Sequence, residues 1–323
     1  MTNSDRAEVW LACALAFSFV ASLMIGPAGL GFPGGAQAAW LIFFEIRLPR
    51  AILGGLIGAA LGLCGAALQG YLRNPLAEPG LLGVTGGASL GAVIAIHSGA
   101  SAAFALALPI AGLIGAAMAT AAVMVLAGPR SGPVTLILAG VAISSLAGAL
   151  TTLALNLSPN PFAAVEMVFW MLGSLNDRSL VHVWIAAPLI IGGGAILLTL
   201  RRDLDALSLG DDVAVNLGLD LARLRMKLVA GTALAIGAAT SVAGGIGFVG
   251  LVVPHLLRRF AANEPGRLLV MSALGGACLV LVADIVLRIL SPVGDLKLGV
   301  LTALIGAPFF LWLVIKTRQE IGP

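Results

Sequence analysis

Few side chains in this sequence are equipped for chemistry, and their spacing decides which chemistry is open to them. Cys13, Cys64 and Cys278 lie far apart, each inside an apolar run. With no Cys-x-x-Cys spacing, they offer neither a zinc site nor a disulfide framework. They read as small apolar side chains for packing. His97, His182 and His255 are equally dispersed. No Gly-x-x-x-x-Gly-Lys-Ser/Thr run cradles a nucleotide's phosphates, and no His-Glu-x-x-His pattern builds a zinc protease. Asp284 and Arg288 stand four apart, where they pair along one helix face. Ion-coupled transport calls for carboxylates at mid-membrane, whereas Glu45, Glu166 and Asp284 all fall near the external ends of their intervals. That placement counts against a proton-coupled secondary transporter acting without an ATPase, without excluding it. The net charge of +3 is too small and too scattered for a nucleic-acid partner.

Composition sets the elements that must carry these groups. Of 323 residues 59 % are hydrophobic and 10 % charged, with mean hydropathy +1.07. A soluble chain carries about 25 % charged residues, and a helix crosses a bilayer with about 20 apolar residues. The chain therefore reads as all-α and polytopic, a single transmembrane domain over 1–323 with no large soluble part. Charge-poor intervals cover 9–44, 51–72, 79–129, 131–165, 179–200, 228–257, 268–283 and 298–315. The first holds a retained span plus an external loop, because 9–25 follows Asp5, Arg6 and Glu8 rather than a basic leader. Interval 79–129 holds two spans, broken near His97-Ser98-Gly99. Interval 131–165 holds one, ended by Ser158-Pro159-Asn160-Pro161. Interval 228–257 goes out and returns, turning at Ala243-Gly244-Gly245. Its return limb, 247–257, is short and carries Pro254 and His255, which suits a protein-lined interior position. The total is ten spans.

Basic residues orient them. With the N-terminus inside, Arg6, Arg73, Arg130, Arg201, Arg202, Arg223, Arg225, Lys227, Arg258, Arg259, Arg267, Lys316 and Arg318 fall inside. Only Arg47, Arg50, Arg178, Arg288 and Lys297 fall outside. Cytoplasmic loops collect such residues, so both termini are expected in the cytoplasm. Gly54, Gly55, Gly58, Gly62, Gly65 and Gly70 form a small-residue face that lets helices approach closely. The polar stretch 203–227 is too short to span. Ser208 and Asp211 have capping-box spacing, and Asp212 suits a helix start. Val213, Ala214 and Leu217 offer a narrow apolar face, Gly218 suits the helix end, and Asp220 caps the next helix. Two capped helices at about 205–222 suggest a surface on which a partner docks.

Five motifs are more specific. They are Ile46-Arg47-Leu48-Pro49-Arg50; Asn74-Pro75-Leu76-Ala77-Glu78-Pro79-Gly80-Leu81-Leu82-Gly83-Val84; Gly245-Ile246-Gly247-Phe248-Val249-Gly250-Leu251-Val252-Val253-Pro254-His255; Ala283-Asp284-Ile285-Val286; and Gly306-Ala307-Pro308-Phe309. In this order, over nearly the whole chain, they resemble the FecCD-like permeases of bacterial iron-siderophore, haem and vitamin B12 importers. The resemblance implies a ten-helix permease of the type II ABC importer fold in the bacterial inner membrane. It implies a homodimer served by two cytoplasmic ATPase subunits and a periplasmic binding protein. ATP and magnesium would sit on the ATPase, with no cofactor in this chain.

The resemblance also assigns roles. The loop 209–218, with Leu209, Gly210, Ala214, Leu217 and Gly218, would seat on the ATPase as coupling helices. Arg47, Arg50 and Arg288 would meet acidic groups of the binding protein, the plainer alternative being headgroup anchoring for Arg47 and Arg50 and pairing with Asp284 for Arg288. Asn74 and Leu76 match the cytoplasmic gate turn. A second gate element, a Thr/Ser pair in the vitamin B12 member, falls here on Pro133 and Val134. Met167, Phe169, Trp170 and Met171 are expected near the external mouth, an adaptable surface for a large planar or hydrophobic chelate. Siderophore, haem and corrinoid all remain open at this level.

Overall fold

The computed structural model describes residues 3–27, 29–128, 132–290 and 296–321. Arg130 and the side chain of Arg318, two of the basic residues expected inside, lie outside the described residues. The chain runs through α1 (Asn3–Met24) and a minimal hairpin, β1 (Ile25–Gly26) and β2 (Gly29–Leu30). Next come α2 (Ala36–Leu41), a π-helical turn (Ile42–Arg47) and α3 (Leu48–Leu72), then a 3₁₀ turn (Pro79–Leu82). Then follow α4 (Val84–His97), α5 (Ala100–Ala103), α6 (Ala107–Ala127), α7 (Pro133–Asn156), α8 (Pro161–Met171) and α9 (Leu180–Leu198). The last are α10 (Arg201–Leu207), α11 (Asp211–Asn216), α12 (Leu221–Ala243), α13 (Val249–Leu257), α14 (Pro265–Leu290) and α15 (Leu298–Ile321).

Among the described residues, eight helices are long and apolar enough to cross a bilayer. Two of the ten expected spans are shorter: α4 has 14 residues and α13 only nine. The breakers fall where the sequence puts them. Asn160 caps α8, its side chain accepting from the Ala163 N–H at 2.9 Å, with Pro161 at the first helical position. That makes 161–171 a helix in its own right. α14 is longer than the charge-free interval 268–283 because its charges are neutralised locally. Arg267 pairs with Glu264 at 2.8 Å and Arg288 pairs with Asp284.

The buried centre is α3 and α12, whose apolar stretches are 78 % and 72 % enclosed, against 11 % for α1 and 22 % for α15. The expected glycine face explains how α3 packs. A Cβ at Gly58 would lie 2.8 Å from the Ala277 Cα, and one at Gly62 would strike the Ser272 carbonyl. The two backbones of α3 and α14 therefore touch directly. Glycine is required there. Such close approach is how helices gain dispersion energy where lipid supplies no hydrophobic drive. Outward faces of α1, α7 and α15 carry exposed Trp10, Phe17, Leu138 and Leu311, as a lipid-facing surface should.

Candidate functional sites at the two ends of the bundle

One end gathers the three arginines, two of which share a single carboxylate. Arg50, in the first turn of α3, grips Asp284 of α14 with Nε to Oδ1 at 2.9 Å and Nη2 to Oδ1 at 2.6 Å. Arg288, one turn beyond Asp284, adds Nε to Oδ2 at 3.0 Å. Its Nη1 donates to the Ser22 carbonyl at 2.7 Å and the Ile25 carbonyl at 3.0 Å. Arg47 donates to the Leu23, Met24 and Gly31 carbonyls at 2.9, 2.9 and 2.7 Å, and stacks 4.4 Å over the Phe32 ring. Together they fasten the end of α1 and its hairpin to α3 and α14. Fork-shaped guanidinium groups suit this double duty.

Arg47 and Arg288 are buried, at 4 % and 5 % exposure, so the three arginines do not form an open basic ring. Arg50 is the most exposed of them, facing a cavity of about 160 Å³ that also touches Ser174, Asn176 and Asp284. Neither Arg47 nor Arg50 is simply a headgroup anchor here. The Asp284–Arg288 pair was legible from its spacing. The Arg50–Asp284 pair was not, because 234 residues separate its members.

The four mouth residues do not share a surface. Met167 and Trp170 turn inward against Ala92, Val93 and Ile96. Phe169 is exposed, with the Lys297 Nζ 5.1 Å from its ring centre. Met171 lines an open apolar recess of about 510 Å³ with Leu172, Gly299, Val300 and Pro308. Helical spacing accounts for the division, since residues three apart share a face and neighbours do not.

The opposite end holds the turn after α3 and the segment α10–α11. Arg73 ends α3 in the left-handed region at φ 48°, and the Asn74 side chain accepts from the Leu76 N–H at 2.9 Å. This Asx turn is compact and lies partly exposed. Pro133 is the first residue of α7 and Val134 beside it is exposed, so no hydroxyl pair stands there. Gln69, fully buried, donates through Nε2 to the Ala77, Gly250 and Leu251 carbonyls, each at 3.3 Å. Its Oε1 accepts from Arg258 Nη2 at 2.8 Å. Arg73 Nη2 reaches Asp211 Oδ1 at 2.6 Å. Burial pushes the Glu78 carboxyl above its ordinary range, opposed by the Phe248 N–H.

The coupling segment departs from expectation in two places. α11 is capped by Gly210 at φ 112°, not by a Ser208 box, and the Ser208 hydroxyl donates to the Asp205 carbonyl at 2.6 Å. Ala214 is fully buried, whereas Leu209, Val213 and Leu217 are 64 %, 45 % and 66 % exposed. The exposed apolar residues are therefore Leu209, Val213, Val215 and Leu217, and Ala214 seats α11 on its own chain. Gly218 ends the helix at φ 88°. Asp220 caps α12 as expected, accepting from the Ala222 and Arg223 N–H groups at 3.0 Å each. These backbone donors, with Arg223 beside them, hold its carboxyl below the usual range. α10 is pinned to the start of α14 through Asp205 and the Gly266 N–H at 2.7 Å. Arg267 contacts Ser4 and Asp5, so the start of α1 lies at this same end.

Among the described residues, no three His, Cys, Asp or Glu side chains group as metal ligands. Gly87-Ala88-Ser89-Leu90-Gly91 has the letters of a nucleophile elbow but lies inside α4, without the strand-to-helix turn that chemistry needs.

Comparison with known proteins bears on the family and the fold. The profile of the FecCD transport family matches residues 14–316. The hemin transport system permease protein HmuU of Yersinia pestis is 38 % identical over 288 residues, covering 88 % of this chain and 86 % of its own. The vitamin B12 import system permease protein BtuC of Vibrio cholerae is 37 % identical over 320 residues, covering 97 % and 93 %. A solved structure of a metal-chelate type ABC transporter in an inward-facing conformation superposes with a TM-score of 0.88 at 32 % identity. That match spans 97 % of this chain and 99 % of the other. The chain belongs to the FecCD transport family.

Proposed function

We propose that this chain is the permease subunit of an ATP-driven importer that carries a metal chelate from the periplasm to the cytoplasm. Ferric siderophore, haem and corrinoid are the candidate cargoes, the last two being named for HmuU and BtuC respectively. The observation that carries the reading is the short helix α11 with its flanking residues, which together expose the apolar side chains of Leu209, Val213, Val215 and Leu217. An apolar patch rimmed by charge marks a docking surface. Leu209 and Leu217 would contact the ATPase, Gly210 and Gly218 set the ends of the helix, and Ala214 holds it in place.

The remaining assignments follow the same polarity. The α11 end is cytoplasmic, with both termini there, and α4 and α13 complete ten passes in the inner membrane. Hydrolysis, with ATP and magnesium, belongs to two partner ATPase chains. Arg50 is the direct contact for acidic groups of a periplasmic binding protein, with Arg47 and Arg288 shaping the surface around it. Asn74 and Leu76 form the inner gate, and Phe169 and Met171 line the outer mouth. Asp284, taken up by two guanidinium groups, supports this reading over a proton carrier. A second copy of the chain completes the pathway. The test is the mass of the complex purified in detergent. Two permease and two ATPase chains are expected; a well-behaved complex with one permease refutes the dimer.

A further inference from the structure

The last turn of α3 and the turn that follows it reach two other elements, α11 and α13. Residues 69–78 are bound on one side to α11, through Arg73 and Asp211, and on the other to α13, through Gln69. Gln69 is well placed for the second task. It is buried, both of its amide groups are engaged, and it joins the turn (Ala77), the body of α13 (Gly250, Leu251) and the charge just beyond α13 (Arg258). Arg73 is placed for the first. The left-handed end of a helix favours glycine, yet the residue at φ 48° is arginine, and its guanidinium reaches a carboxylate in the first turn of α11. Tethered to α11 at Arg73 and to α13 at Gln69, the segment is placed to pass displacement from one neighbour to the other.

We propose that residues 69–78, which carry Asn74 and Leu76, are a transmission link, in which Arg73 and Gln69 are positioning residues that tie the movement of α11 to that of α13. This rests on α11 being the ATPase seat. A rigid route of this kind needs one two-state element biased from both sides, and α13 is the candidate. It is nine residues long, begins after Phe248 in the left-handed conformation, and contains Pro254.

The Arg73–Asp211 pair is half exposed, so reversing either charge leaves the fold intact. The experiment uses the permease–ATPase complex in nanodiscs, with the native cysteines replaced and spin labels at Leu256→Cys on α13 and Val125→Cys on α6. The label distance is measured without nucleotide and with ATP plus vanadate. A nucleotide-driven shift is expected in the parent, reduced by half or more in Arg73→Asp and in Asp211→Arg, and restored in the swapped double variant. Gln69→Leu should abolish the shift while leaving the ATPase bound. A parent without a shift, or single reversals that keep it, overturns the link. The seat is checked separately by Leu217→Asp. If the ATPase stays bound to that variant, the seat reading fails, while the reversals still report whether α11 and α13 move together.

Discussion

Replacing Asp284 by asparagine removes the one negative charge from a site that holds two guanidinium groups. The carboxylate is 1 % exposed, and the side chains of Arg288 and Arg50 are 3 % and 15 % exposed. Breaking a buried pair costs roughly 3–5 kcal/mol because an uncompensated charge stays behind. The lower end applies here, about 3 kcal/mol, since Arg288 keeps its bonds to Ser22 and Ile25 and Arg50 borders a polar cavity. At about 1.4 kcal/mol per factor of ten, the opened population rises about a hundredfold. Cys64, fully buried on α3, reports that opening through its reaction with a thiol dye once Cys13 and Cys278 are replaced by alanine. Adding Arg50→Gln to Asp284→Asn removes one stranded charge, so the double variant should lose at least about 1 kcal/mol less than the sum of the singles. A labelling rate within threefold of the parent, or strictly additive variants, refutes the reasoning.

Other expected outcomes test separate contacts. Gly62→Val should drive α3 from α14 and prevent accumulation of folded protein, whereas Gly55→Ala, with open space around its Cβ, should be neutral or slightly stabilising; monodispersity in detergent compares them. Gly218→Pro is incompatible with φ 88° and Ala214→Asp places a charge in a filled site, so both should loosen α11, read by hydrogen exchange. Leu217→Asp should keep that protection and lose the ATPase in co-purification. The Asp220 cap has a carboxyl held low in the folded chain, so its stabilisation is complete above the ordinary carboxylate range and fades as pH falls through the lowered value. Exchange in the first turn of α12 should accelerate over that acidic window, and Asp220→Asn should remove the pH dependence.

The parts of this molecule legible in its sequence are those set by local spacing. Helix breaks at Ser158–Asn160 and Ala243–Gly245, the short limb containing Pro254, the cap at Asp220 and the pair Asp284–Arg288 all depend on residues within a turn of each other. The glycine face of α3 was also legible, because close packing in lipid selects for it. What escaped is contact between distant segments. Asp284 joins Arg50 across 234 residues, and Arg258 meets Gln69 across 189. No periodicity records such pairs. Burial of Arg47 escaped because its partners are backbone carbonyls of Leu23, Met24 and Gly31, which any residue type supplies. Ser208 misled for a local reason: its hydroxyl bonds back to the turn of α10, and Gly210 takes the cap position. At the mouth, composition identified an apolar segment, but only the helix phase separates Met167 and Trp170 in the core from Phe169 and Met171 outside it.

Whether transport is driven by ATP on a partner chain is decided by uptake into proteoliposomes. The permease is reconstituted with its ATPase and binding protein, and labelled haem, cobalamin and a ferric siderophore are offered in turn. Accumulation of one of the three that requires ATP hydrolysis, and stops when the ATPase is omitted, is the expected result. Accumulation that continues without the ATPase and follows an imposed pH gradient would contradict it.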